Sequence, residues 1–162
     1  MNLNPAELSD ASFFADDARL HGNASSVVLE ITDCASLADL GAVSARVESL
    51  RARGYRIAID GMGAGYSGSS TLTRLRPDVV KLDMSLVWNI HQSATHRAGV
   101  RSITALCHDL GFQVVAEGVE TAPEQDMLVT LGAGYVQGYL FARPDPAVQV
   151  PAMFEPVYAS GS

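Results

Sequence analysis

Cysteine is nearly absent: Cys34 and Cys107 are the two present among 162 residues, and they do not form a Cys-x-x-Cys pair. A disulfide framework and a structural zinc site are therefore not expected, and a reducing, cytoplasmic setting is. Long apolar runs are also missing. They break at Glu30, Lys81 and Glu117, short of the roughly 18–20 residues that cross a bilayer, so no membrane segment is expected. Met1-Asn2-Leu3-Asn4-Pro5 has no basic start ahead of an apolar core, which argues against a secretory signal. Basic charge is scarce, with 11 Lys and Arg against 18 Asp and Glu and a net charge of −7. Arg46, Arg51, Arg53 and Arg56 make the densest basic patch, but acids elsewhere outweigh it, and duplex nucleic acid is disfavoured as a partner. A phosphate ligand would instead be met through carboxylate-held metal ions.

What is present is a globular composition. Hydrophobic residues make up 48% and charged residues 18%, which excludes wholesale disorder and a fibrous repeat, and the length suits one domain. Short β-like runs alternate with helical spacing. Val27 to Ile31 leads to Leu37, Leu40, Val43, Val47 and Leu50 at spacings of three and four, with Ser36 as a candidate cap and Gly54 as the stop. Ile57 to Asp60 precedes a glycine-rich loop and a short helix near Ser70 to Arg76. Asp78 to Asp83 precedes a long helix with Val100, Ile103, Leu106, Cys107 and Leu110 on one face, ended by Gly111. Phe112 to Ala116 precedes a helix opened by a Thr121/Glu124 capping box and stopped at Gly132; Tyr135-Val136 follows. This alternation predicts an α/β fold with a parallel sheet.

Polar residues end these runs: Glu30, Asp60, Lys81 with Asp83, Glu117 and Gln137. Each alone reads as a solvated strand terminus. Together, at the carboxyl ends of parallel strands, they could form a ring holding a divalent cation by oxygen with a lysine beside it. The loop Gly63-Ala64-Gly65-Tyr66-Ser67-Gly68 also fits G-x-G-x-x-G, with Asp83 beyond it as in a dinucleotide fold. The unit from Ile57 to Asp83 leaves room for only about two helical turns, which favours a tight loop using glycine for positive φ.

The segment Ile57-Ala58-Ile59-Asp60-Gly61-Met62-Gly63-Ala64-Gly65-Tyr66-Ser67 resembles "ALDDFGTGYSS" of EAL domains, the cyclic-di-GMP phosphodiesterase family. In order, Asn2-Leu3-Asn4-Pro5 resembles "NLSP" and Leu29-Glu30-Ile31-Thr32-Asp33 resembles "LEITE". Lys81-Leu82-Asp83 resembles "K-I-D", Val115 to Thr121 resembles "VAEGVET", and Gln137 to Pro144 resembles "QGYLFSRP". The resemblance implies a (β/α)8 TIM-type barrel. It also implies hydrolysis of cyclic di-GMP to linear pGpG with two Mg²⁺ or Mn²⁺ ions. By matching, Asn2, Glu30 and Asp60 would be metal ligands and Asp83 would help position a water. Lys81 would polarise the nucleophilic water, Glu117 would be a metal-associated base, and Gln137 would support the water and substrate network. Glu120 would brace the loop after Asp60.

Two departures from the family pattern stand out. The chain carries no Glu-Ala-Leu segment, so a partial barrel over residues 1–146 is expected, with a C-terminal helix or tail over 147–162. Gly61 replaces the second aspartate of the pair, removing the family's own ligand for a second metal. The expectation is a catalytically impaired signalling domain that binds cyclic di-GMP or regulates a partner. It would hold at most one weakly bound Mg²⁺ or Mn²⁺, with a homodimer or protein partner covering the open barrel. The alternative is an active phosphodiesterase once further N-terminal strands complete it. His21, His91, His96 and His108 read as surface or capping residues, Cys34 and Cys107 as buried or half-buried ones, and Trp88 as a packing residue.

Overall fold

A computed structural model describes residues 2–3, 8, 24–32, 40–64 and 69–143 of the chain. It divides into two units, Met1–Val80 and Lys81–Ser162. Ser36, Cys34, His21, residues 65–68 of the glycine loop and everything after Arg143 lie outside the described residues.

In the first unit, strands β1 (Asn2–Leu3), β2 (Val28–Ile31) and β3 (Arg56–Met62) run parallel, with Asn2 opposite Glu30 and Leu29 opposite Ile57. Helix α1 (Leu40–Ala52) makes the crossover that parallel neighbours require, and α2 (Ser69–Leu75) follows β3. Side chains alternate along each strand. Leu29, Ile31, Ile57 and Ile59 share one face and are fully buried, each worth about 1.5–3 kcal/mol of burial. α1 packs on β3 and on α2 and buries Val43, Val47 and Leu50 of the stripe read from its spacing, while Leu37 lies outside the described residues. Gly54, at φ +95, turns the chain back into β3, where only a residue without Cβ is unstrained. The start of strand β4 (Val79–Leu82) is pinned beside β3. Asp78 Oδ2 accepts from the Ile57 N–H at 2.8 Å, and the Asp78 N–H donates to Ile57 O at 2.8 Å.

The second unit takes up the chain at Lys81 and Leu82 of β4. It continues through α3 (Met84–Val87), α4 (Ala94–Leu110), β5 (Gln113–Ala116), α5 (Ala122–Thr130) and β6 (Tyr135–Val136). β5 and β6 are parallel, with Val115 opposite Tyr135. Ser93 caps α4 by accepting from the His96 N–H, and Gly111, left-handed at φ 78, ends it as expected. The buried face of α4 is Val100, Thr104 and Cys107, and Leu110 stays 39% exposed, unlike the face read from spacing. Thr104 can be buried there because its hydroxyl lies within hydrogen-bond reach of backbone oxygens, Val100 O at 2.9 Å and Leu131 O at 2.8 Å.

Candidate functional site

Asn2, Glu30 and Asp60 come together on the first unit's strands. Partner positions in a parallel pair project to the same side, and alternate residues along a strand do too. Asn2 lies opposite Glu30, Glu30 lies opposite Ala58, and Asp60 follows Ala58 by two. The three therefore share the face opposite Leu29, Ile31, Ile57 and Ile59. An amide oxygen and two carboxylates are hard donors, the set that suits Mg²⁺ or Mn²⁺. Among the described residues no three His, Cys, Asp or Glu form a group that could hold a metal ion. Gly61 follows at φ +75, and a Cβ there would meet nothing within 4 Å. The position has space but no side-chain donor.

The second unit brings Lys81 and Glu117 into contact. Lys81 Nζ is 2.7 Å from Glu117 Oε1, with 11% and 24% of the two side chains exposed. The strand ends align because the Glu117 N–H donates to Leu82 O at 3.2 Å. Asp83 caps α3, its Oδ1 accepting from the Ser85 N–H at 2.8 Å. Gln137 is exposed, and its backbone is fixed: its N–H donates to Ala116 O at 2.8 Å and its carbonyl accepts from the Val119 N–H at 3.0 Å. This approach depends on Gly138, where a Cβ would lie 2.1 Å from Val119 O. Glu120 is exposed, and its N–H donates to Glu124.

Glu124 was legible in the sequence only as a helix cap, yet it is a hub. It is 1% exposed; Oε1 accepts from the Asn89 N–H at 2.9 Å, and Oε2 from the Glu120 and Thr121 N–H groups at 3.1 and 3.0 Å. Burial pushes its carboxyl pKa up, but the N–H donors of Asn89, Glu120 and Thr121 outweigh burial and hold it below the usual glutamate value. Cys107 is fully buried as expected, and burial raises its thiol to about 11. His91 and His96 are half-buried and His108 is exposed. Trp88 is 57% exposed and so is not the packing residue its neighbours Leu86 and Val87 suggested. It falls on the outer side of the short α3 turn, whose buried residue is Val87.

Parallel strands with helical crossovers and polar residues at their ends define an α/β barrel-type domain, and a family model described as the EAL domain matches residues 1–144. The chain belongs to the EAL domain family, and its fold is part of that family's TIM-type barrel. It is 40% identical over 128 residues to the probable cyclic di-GMP phosphodiesterase PdeA of Escherichia coli (strain K12), covering 79% of this chain and 18% of that protein. It is 34% identical over 117 residues to the blue light- and temperature-regulated antirepressor BluF of the same organism, covering 72% of this chain and 29% of that protein. Among solved structures, Klebsiella pneumoniae BlrP1 in its manganese and cyclic-di-GMP complex at pH 9.0 is similar at 38% identity and a TM-score of 0.80. That match covers 89% of this chain and 38% of BlrP1. The chain thus spans well under half the length of these relatives.

Proposed function

We propose that this chain is a cyclic-di-GMP signalling domain in which hydrolysis is impaired or absent, acting by binding the dinucleotide or by regulating a partner. The observation that carries this reading is Gly61 beside Asp60: the site keeps one face of oxygen donors and has no side chain where the family pattern places a second aspartate. In a two-metal hydrolase, loss of one metal's ligand removes either water activation or leaving-group stabilisation. Asn2, Glu30 and Asp60 would hold at most one Mg²⁺ or Mn²⁺, weakly, and that ion would supply positive charge to a phosphoryl oxygen. Lys81 would orient a water and polarise it, Glu117 would accept its proton, and Asp83 and Gln137 would support the water and the substrate. BlrP1 was crystallised with manganese and cyclic di-GMP, and BluF is named an antirepressor, so the family includes both ligand complexes and regulators.

A partner surface is supported in the second unit by Met84, Trp88, Tyr139 and Phe141, each more than half exposed. Where such side chains form one patch they mark a docking surface, which a second copy of the chain or another protein would cover. The second reading, an active phosphodiesterase once further strands complete the barrel, is favoured by the close Lys81–Glu117 pair. Calorimetric titration with cyclic di-GMP, alongside chromatographic detection of pGpG in Mg²⁺ or Mn²⁺, separates the two. Binding without turnover is expected. Turnover abolished by Lys81→Ala establishes the second reading, and absence of both binding and turnover overturns ligand binding and leaves partner regulation alone.

A further inference from the structure

A capping box asks Glu124 only to accept from its own helix N-terminus. Here the same carboxylate also reaches Asn89, 35 residues earlier in the chain, which no helix cap requires. Asn89 closes the turn after α3 in the left-handed region, at φ 52, and its N–H is directed at Glu124 Oε1. The other side of that turn is held by Arg97, whose Nη1 donates to Ile90 O at 3.2 Å and His91 O at 2.9 Å. Oε2 of Glu124 meanwhile holds the N–H groups of Glu120 and Thr121, in the loop that leaves Glu117. One buried carboxylate thus joins the loop that follows Lys81 and Asp83 to the loop that follows Glu117.

We propose that Glu124 is a positioning residue that clamps these two loops together and thereby holds Lys81 and Glu117 in the arrangement their ligand needs. The inference rests on the reading of Lys81 and Glu117 as ligand-handling groups. Two chain segments leaving neighbouring strands separate unless something crosses between them. Beyond the strand ends, where the Glu117 N–H donates to Leu82 O and Lys81 pairs with Glu117, the crossing contacts include Gly118 against Met84, where a Cβ on the glycine would lie 2.7 Å from Met84 Cβ, and the Glu124 hydrogen bonds. The first is a steric fit with no direction. The second is directional, charge-assisted and shielded from water, so it sets orientation. A charge with 1% exposure is tolerated only because every bond it makes is satisfied, which makes the clamp sensitive to a single change.

Glu124→Gln keeps the volume and exchanges one acceptor oxygen for an NH₂ that faces an N–H donor, so it weakens the clamp without opening a cavity. Asp126→Asn, exposed on the same helix, is the control. Amide hydrogen exchange of the ligand-free chain reads the clamp directly. In Glu124→Gln the Asn89, Glu117 and Glu120 amides are expected to exchange about ten-fold faster or more, while α4 amides such as Cys107 stay as in the wild type. Uniform acceleration throughout the second unit, or unchanged exchange at Glu117, overturns the proposal. Titration with cyclic di-GMP supplies the functional arm: about ten-fold weaker binding in Glu124→Gln, with Lys81→Ala costing less in that background than alone. Independent, additive losses overturn the positioning role. A wild-type chain that binds no cyclic di-GMP defeats the proposed function instead, and exchange then decides the clamp by itself.

Discussion

Lys81 Nζ lies 2.7 Å from Glu117 Oε1, a direct ion pair between the ends of two neighbouring strands, with the lysine side chain 11% exposed. The two are 36 residues apart in sequence; Lys81 interrupts the apolar run of β4, and Glu117 follows the end of β5. At this depth a charge is retained only with an opposite charge close by. The pair therefore joins the local frame of the second unit to the chemistry proposed for it.

Lys81→Met keeps the apolar stem and removes the ammonium from Glu117. We expect a loss of about 1–3 kcal/mol, below the full cost of breaking a completely buried pair because the carboxylate keeps some access to water. Urea unfolding should show a lower midpoint with an unchanged slope. A midpoint equal to wild type would show that the pair adds no stability.

Glu124 gives stability a defined pH dependence. Its folded pKa is depressed below the ordinary value of 4.5, so its contribution is fully present above that value. It is lost as pH falls through the lower folded pKa, when protonation removes acceptor capacity from the N–H groups of Asn89, Glu120 and Thr121. Unfolding free energy measured from pH 6 downwards should decline more gently in Glu124→Gln than in the wild type. Identical acid limbs would show that this carboxylate does not couple folding to protons.

Gly61→Asp has space, since a Cβ meets nothing within 4 Å, but it must adopt φ +75. Aspartate tolerates the left-handed region better than most residues, so the cost should be about 1 kcal/mol and the melting point should fall by roughly 2–4 °C. We expect no pGpG from this variant, because one added carboxylate supplies a single donor where a second ion needs several. Turnover restored by this change alone would overturn that expectation.

Two glycines should respond differently to alanine. At Gly111, φ 78 strains the backbone but the space is open, so Gly111→Ala should cost about 1 kcal/mol. At Gly138 the added carbon would sit 2.1 Å from Val119 O and 2.3 Å from Val119 N, both backbone atoms that cannot swing aside. Gly138→Ala should cost about 3 kcal/mol and disturb the backbone around Gln137. Calorimetric melting of the two variants side by side checks the order.

Cys107 should be inert in the folded chain. It is fully buried with its thiol pushed up to about 11, so neither access nor thiolate is available near neutral pH. Mass spectrometry after maleimide treatment at pH 8 should find Cys107 unmodified without denaturant and modified in urea. Labelling of the native chain would show that α4 opens readily.

The sequence alone determined the local structure. A short apolar run marks β3, the spacing of Val43, Val47 and Leu50 marks α1, and Gly111 marks the end of α4, because each depends on neighbours within a turn or two of chain. It also carried the family, since the residues around Asp60, Lys81, Glu117 and Gln137 occur as ordered motifs. Only the tertiary structure decided which side chains meet. Thr104 is buried on α4, with a carbonyl of the following helix end within reach of its hydroxyl, while Leu110 is left exposed. Trp88 was left exposed, and Glu124 proved to bind Asn89 as well as its own helix end. Periodicity reports which face a residue occupies, whereas partners brought together from distant segments depend on how the packed elements close on one another, which no local pattern encodes.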